Sequence, residues 1–540
     1  MSWDREYPRP QLRRDSFFCL NGSWEVNGQV VQVPYPLQSR LSGWQGAVPE
    51  RLHYRRTFTL PAGFCTENDR ILLHFGAVDQ VADVMVNGKP VAHHEGGYHP
   101  FCADITDCIV PGENEVIVDA MDTLDPIYPR GKQSKKPGGM WYTPVSGIWQ
   151  TVWGEAVPGR HAIRDVKITP DTQGFDILVA SDAEQAELTV EGRTMSVPCN
   201  KRHRVDIDNP RLWSVEEPYL YNLQIKTDSD TVQSYTALRS VDIRVVEGKP
   251  RICLNGKPVF LNGVLDQGYF DDGIFLPKDP EAFDQDILRM KELGFNLLRK
   301  HIKVEPERFY FACDRLGMLV MQDMVSSGGY NFLLDTVLPT IGLTRRPDCY
   351  PGQNRRKEIF RRHCRETVEQ LWNHPCVIAY TIFNEGWGQF DADEMYVMCK
   401  DLDPHRIWDA TSGWFTRTKS DVDSVHVYFR NKLLKGKERP VLLSECGGYA
   451  RKIEGHLFKQ DAKYGYGKTD TEAALTEAIA KMYREMVLPS IPDGLCGVVY
   501  TQLSDVEEEI NGLYTYDREV CKVNKARMRE ILAEAAALLE

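Results

Sequence analysis

Spaced motifs are what this sequence lacks. Its 14 cysteines include no Cys-x-x-Cys pair, and there is no His-Glu-x-x-His, no Gly-x-Gly-x-x-Gly and no phosphate-loop Gly-Lys. A zinc-protease helix, a dinucleotide-binding turn and a phosphate cradle are thereby excluded. No cofactor and no metal are expected. Positive charge is also in deficit, with 65 Lys and Arg against 77 Asp and Glu and a formal net charge of −12 at pH 7. Nucleic acid and membrane surfaces, which favour a basic face, are therefore not expected as partners. A run of about 18 apolar residues is missing too, so no membrane-spanning helix is predicted. The N-terminus, from Met1 to Pro8, has no signal-type apolar core. Several cysteines, among them Cys253, Cys376 and Cys496, lie in apolar runs where a thiol acts as a small hydrophobe. A reducing, cytoplasmic setting is the reading that follows. Whether an export signal has been trimmed is left open.

What is present is a change of rhythm along 540 residues, 42% of them hydrophobic. That length suits two to four domains. Short alternating runs dominate residues 1–157, and Asn87-Gly88 between two of them is a hairpin signal. A jelly-roll β-sandwich is predicted there. From Asp122 to Trp149 the alternation gives way to a long loop rich in aromatics and lysines. A loop of that length in a domain is functional or disordered, and its Pro and aromatic content favours order. Its segment from Asp122 to Trp141 is expected to pack on the mouth of the later domain. Residues 158–247 alternate again with period two and read as an immunoglobulin-like β-sandwich. From 248 to 540 strands alternate with helices, eight strand-helix units in all, which predicts a (β/α)8 TIM barrel. The fold class is thus multidomain, β plus α/β.

Two buried strand runs carry the chemistry. One, from Ile378, ends in Asn384 and Glu385; the other, from Val441, ends in Glu445. Carboxylates at the C-terminal ends of barrel strands face the barrel mouth. Two that share a pocket form the acid/base and nucleophile pair of glycosidic bond cleavage. Other strand ends supply Asp266, His301, Asp323, Trp414, His426 and Tyr428. Such a mouth suits a sugar, with carboxylates and amides for hydroxyls and Trp414 for the apolar ring face. Asp323 reads as a brace for the pocket floor, and Tyr428 as a hydrogen-bond donor that holds Glu445 ionised. The expected partner is a carbohydrate, with a homo-oligomer left open.

The domain order, Asn384-Glu385 and Ser444-Glu445, with Gly96–Phe101, Pro144–Trp149, Phe295–His301 and Cys313–Gly317, resembles glycoside hydrolase family 2. The resemblance covers essentially the whole chain. It implies an exo-acting retaining hydrolase with Glu385 as acid/base and Glu445 as nucleophile. Asn384 would hold the sugar 2-hydroxyl, Tyr428 would bond the nucleophile, and Asp122 would reach the pocket from the first domain. It also implies a β-galactosidase-like label without the sugar. The Asn-x-Lys that family glucuronidases use for a sugar carboxylate has no match after Glu445, since Asn524-Lys525 has the wrong spacing. Gln322-Asp323-Met324 does not match the magnesium site of the large β-galactosidases. A terminal arabinoside, galacturonide, glucuronide or mannoside therefore stays open as substrate, and so does a non-catalytic carbohydrate-binding role.

Overall fold

Alternation along the first strands decides which face is buried. In Arg51–Phe58, Leu52, Tyr54 and Phe58 point inward while Arg51, His53 and Arg55 stay outside. The computed structural model, which describes residues 2–331, 333–340, 343, 353–415, 418–428 and 430–539, pairs these strands into two antiparallel sheets. The larger runs Gln29–Val33, Gly22–Val26, Arg51–Phe58, Asn114–Met121, Val81–Val86 and Lys89–Glu95. The smaller has Phe18–Cys19, Val152–Pro158, Asp69–Phe75 and Phe101–Asp104. Trp24, Tyr54, Val84 and Val116 fill the space between them. At the predicted hairpin Asn87 has φ 49° and Gly88 φ 76°, the two left-handed residues that match the twist of the flanking strands.

The second sandwich packs Asp165–Pro170, Gly174–Ala180 and His203–Asp206 against Arg193–Pro198, Gln185–Val190, Tyr221–Lys226 and Thr231–Thr236. A small sheet of Val241–Val246, Lys249–Leu254 and Lys257–Pro258 then leads into the barrel. It runs across the boundary expected between residues 247 and 248.

The barrel strands are β1 (Leu261–Asp266), β2 (Leu297–Lys300), β3 (Leu319–Asp323), β4 (Val377–Asn384), β5 (Ile407–Ser412), β6 (Asp423–Val427), β7 (Val441–Gly447) and β8 (Leu495–Thr501). They form one parallel sheet, and β5 and β6 lie side by side to complete the ring. β4, β7 and β8 are buried along their whole length, as strands covered on both faces must be. The helices are α1 (Glu281–Leu293), α2 (Glu307–Leu316), α3 (Asn354–Leu371), α4 (Ala392–Leu402), α5 (Glu472–Met482) and α6 (Lys525–Ala537). Each of β1 to β4, β7 and β8 is thus followed by a helix. Among the described residues none follows β5 or β6, in contrast to the eight strand-helix units expected. The connections there, Gly413–Val422 and Tyr428–Pro440, are polar and lack an apolar 3.6-residue period. No helix among the described residues is long and apolar enough to cross a membrane.

Among the contacts that join the barrel to the domains before it, two groups stand at its opposite ends. The long loop of the first domain docks on the mouth: the Arg130 and Gly131 amides donate to Ser326 O at 3.0 and 3.2 Å, and Tyr142 donates to Glu509. This is the packing expected for the Asp122–Trp141 segment. At the opposite end the Trp213 indole donates to Asp314 O at 2.7 Å, and the Tyr235 hydroxyl to Asp314 Oδ2 at 2.7 Å. Trp213 is completely buried. Trp213→Ala is expected to lower stability by about 3–5 kcal/mol, the usual cost of emptying an aromatic site. A denaturant midpoint equal to that of the parent protein would show that this anchor does not hold the domains.

Candidate active site

Strand β4 ends and the chain turns at once. Glu385 has φ 51° and Gly386 φ 70°, and the Glu385 amide donates to Ser412 O at 3.0 Å. A Cβ on Gly386 would come within 2.2 Å of the Phe415 ring, so only glycine fits beneath the glutamate. A left-handed non-glycine residue is uncommon and clusters at functional sites. The turn aims the Glu385 carboxylate at His426 Nδ1, 2.7 Å away.

Glu445, on β7, has both oxygens engaged. Arg299 Nη1 donates to Oε1 at 3.1 Å, and the Tyr428 hydroxyl donates to Oε2. His426 stands between the two glutamates, its Nε2 3.6 Å from Glu445 Oε1. An oxygen of Glu385 and one of Glu445 lie within 4.8 Å of each other. Those two carboxylates and His426 also have the mutual spacing of a cation-holding set, but their donor atoms are directed at one another, at Arg299 and at Tyr428.

Beneath the carboxylates lies Arg299, fully buried. Its Nε donates to Asp323 at 3.0 Å, its Nη1 to Ser444 O at 2.9 Å, and its Nη2 to Asn384 Oδ1 at 3.0 Å and Ser412 Oγ at 2.9 Å. Ser412 Oγ donates onward to Asn384 Oδ1 at 2.7 Å. The amide oxygen of Asn384 is thus held from below, and its NH2 is left for the pocket. Asp323 Oδ2 meets His301 Nδ1 at 2.8 Å, which fixes the ring while its other edge lines the pocket.

The electrostatics follow from this frame. Burial alone would raise the Glu445 carboxyl, but His426, His301, Arg299 and the Tyr428 hydroxyl outweigh it and bring it down to about 2. Asp323 is lowered in the same way, with Arg299 and His301 overcoming burial. Burial lowers His301 and favours the neutral ring. Tyr428 is pushed well up by burial and by the Glu445 charge beside it, so it stays a donor.

Of the residues expected at the site, Glu385, Glu445, Asn384, His301 and Tyr428 line one pocket. His426 sits behind the two glutamates, its side chain fully covered. Three make other contacts. Asp266 pairs with Lys300 at 2.6 Å and caps the Gly268 amide at 2.8 Å, because a buried lysine next to it claims the carboxylate. Trp414 packs edge-on against His426 and donates to Asp335 O at 3.1 Å, so it touches the histidine that stands between the two glutamates. Asp122 accepts from Ser146 and the Leu124 amide, both at 2.7 Å. It is turned into its own loop. Sequence reasoning did not single out Arg299, Glu509, Tyr466 or Trp387. Arg299 lies within the Phe295–His301 segment, on a short strand, Leu297–Lys300, that is buried throughout although it carries two charges, Arg299 and Lys300. A charge there needs partners, and that is the signal that was available.

Three family models match in sequence order: "Glycosyl hydrolases family 2, sugar binding domain" over residues 10–154, "Glycosyl hydrolases family 2" over 159–239, and "Glycosyl hydrolases family 2, TIM barrel domain" over 244–444. A beta-galactosidase of Thermoanaerobacter pseudethanolicus is 26% identical over 458 residues, 78% of this chain and 56% of the relative. A putative beta-glucuronidase of Formosa agariphila is 27% identical over 348 residues, 59% of this chain and 38% of the relative. The chain spans about half the length, or less, of these curated relatives. Two solved structures share the fold at 19% identity. They are a beta-D-glucuronidase of Dictyoglomus thermophilum, with TM-score 0.77 over 98% of both chains, and a GH2 beta-galacturonidase of Eisenbergiella tayi, with TM-score 0.70 over 99% of this chain and 98% of that one.

The Glu445 charge has a consequence for stability. Its folded value of about 2 lies below the ordinary 4.5. Ionised Glu445 therefore stabilises the fold above the ordinary value, and that contribution is lost as pH falls toward the folded one. Glu445→Gln should show a shallower fall in melting temperature across this acidic window than the parent; parallel curves would contradict the depressed value. Arg299→Met leaves Asp323 and Glu445 without their shared cation and is expected to cost about 3–5 kcal/mol, as for other broken buried ion pairs. A chemical denaturation curve unchanged by Arg299→Met would remove Arg299 from its central place.

Proposed function

The chain belongs to glycosyl hydrolase family 2, and from that premise we propose that it is an exo-acting retaining glycosidase using Glu385 as acid/base and Glu445 as nucleophile. The observation that carries this reading is the approach of the two carboxylates to within 4.8 Å. Double displacement uses a separation of about 5–5.5 Å, whereas inversion leaves about 6.5–9.5 Å for a water.

Their surroundings support the roles. Glu445 is kept charged by the groups around it and attacks the anomeric carbon. Glu385 gives its proton to the leaving oxygen. Once the glycosyl–enzyme ester forms, Glu445 loses its charge, and Glu385 takes a proton from the incoming water. His426, in contact with Glu385 and close to Glu445, keeps the two carboxylates aligned. The free amide of Asn384 is suited to the sugar 2-hydroxyl, where hydrogen bonds strengthen in the transition state. Trp141 stands edge-on to Trp387 and Tyr330 at 5.0 and 4.9 Å. The first domain thereby contributes a wall that favours removal of chain ends over internal cutting. The relatives' names point to β-linked galactosides or uronides as the substrates to try first.

Replacing the two glutamates separates their roles. Glu445→Ala is expected to abolish turnover of every substrate. Glu385→Ala should lose about 10²- to 10⁴-fold with a poor leaving group, the usual worth of a general acid, and much less with dinitrophenolate. Azide should then restore its turnover and give a glycosyl azide of the substrate's own anomeric configuration. NMR of the first product of the parent enzyme should show the retained anomer; an inverted one would overturn the reading.

A further inference from the structure

The pocket wall given by the first domain carries a cation that the mechanism leaves unused. Lys132 lines the same pocket as Glu385 and Glu445 and is half-buried. Its neighbours are firmly held: the Tyr142 amide donates to Lys132 O at 3.0 Å, and the next residue, Gln133, is fully buried and donates to Asp79 and Tyr98, both at 3.1 Å. The ammonium lies 5.5 Å from the Tyr142 ring centroid, a cation–π distance. It has no carboxylate or carbonyl within bonding reach among the described residues. The loop's other lysines behave differently: Lys135 pairs with Glu50 at 3.0 Å, and Lys136 points into solvent. Lys132 is thus the lysine of this loop that is both half-buried and part of the pocket lining.

The charges around it sharpen the point. The charged Glu445 lines the pocket beside Glu385 and Glu509, so an anion would be repelled unless a cation received it. Arg299 cannot serve, because Asp323 and Glu445 already compensate it. The charge of Lys132 reaches His301, where it adds to burial in lowering the imidazole. It therefore acts within the space that a bound sugar would fill.

We propose that Lys132 binds a negatively charged group on the terminal sugar, making anionic glycosides the preferred substrates. The proposal rests on the glycosidase reading above and extends it to a substrate class. A carboxylate at C6 and a sulfate ester on the ring share the required chemistry. The anchor comes from the first domain and not from the barrel.

The test uses the full chain with p-nitrophenyl β-glucuronide, β-galacturonide and the 6-sulfated glycosides beside their neutral parents. The parent enzyme is expected to favour an anionic substrate in kcat/KM by at least about tenfold, the scale of one charge-assisted hydrogen bond. Lys132→Met should bring that ratio close to one, mainly through KM, and Lys132→Arg should restore most of it. Preference for a sulfate ester over a uronide upholds the anion site and identifies its source. Preference for neutral sugars, or a Lys132→Met ratio equal to the parent's, overturns it. If no glycoside is turned over, the glycosidase reading falls separately. Calorimetry with free glucuronate and galacturonate then decides: binding abolished by Lys132→Met upholds the anion site, and its absence in the parent overturns it.

Discussion

One buried guanidinium holds the active site together. Arg299 extends from β2 and reaches Asp323 on β3, Asn384 on β4, Ser412 on β5, His426 on β6 at 3.5 Å, and Ser444 and Glu445 on β7. A planar fork of five donors can satisfy so many acceptors without moving; a lysine ammonium cannot. Burying such a charge is costly unless every partner is in place, and here they are. The strand ends are therefore fixed relative to one another before any substrate arrives. Such preorganisation gives catalytic carboxylates much of their effect.

Different environments divide the work between two glutamates of the same chemical type. Glu445 lies among Arg299, Tyr428, His426 and His301, all of which favour its charged form. Glu385 stands on the sharp turn after β4, with His426 as its side-chain partner. The first domain completes the pocket with Lys132, Met140 and Trp141, and the barrel loop after β8 returns Glu509 to meet Tyr142. The site is thus a product of two domains, and the linkage at Asp314 keeps the sandwich next to the barrel fixed at the opposite end.

Much of this was legible in the sequence. Most of the eight strands could be found because they hold short apolar runs bounded by glycine, proline or polar residues, and β4 and β7 announce their chemistry with a glutamate at the end. The Asn87-Gly88 turn and the docking of the long loop could be read as well. What escaped were facts that depend on partners distant in the chain. Asp266 looks like a pocket carboxylate until Lys300 is placed beside it. Trp414 looks like a sugar platform, and its edge-on contact with His426 could not be read from its own segment. Asp122 looks like a bridge between domains until Ser146 is seen to hold it. Arg299 was hidden for the converse reason, since nothing in its own segment shows how many strands meet there. The connections after β5 and β6 hold no helix among the described residues, yet the two strands still come side by side, so the alternation could break without opening the ring.

The central claim is that the Arg299 frame makes Glu445 a nucleophile that bonds to the sugar. Trapping with an activated 2-deoxy-2-fluoro glycoside, followed by mass spectrometry of the proteolysed enzyme, tests it most directly. The account predicts one sugar adduct, on the peptide that contains Glu445, released when an acceptor is added. An adduct on Glu385, or turnover of the parent glycoside with no adduct formed, would contradict it.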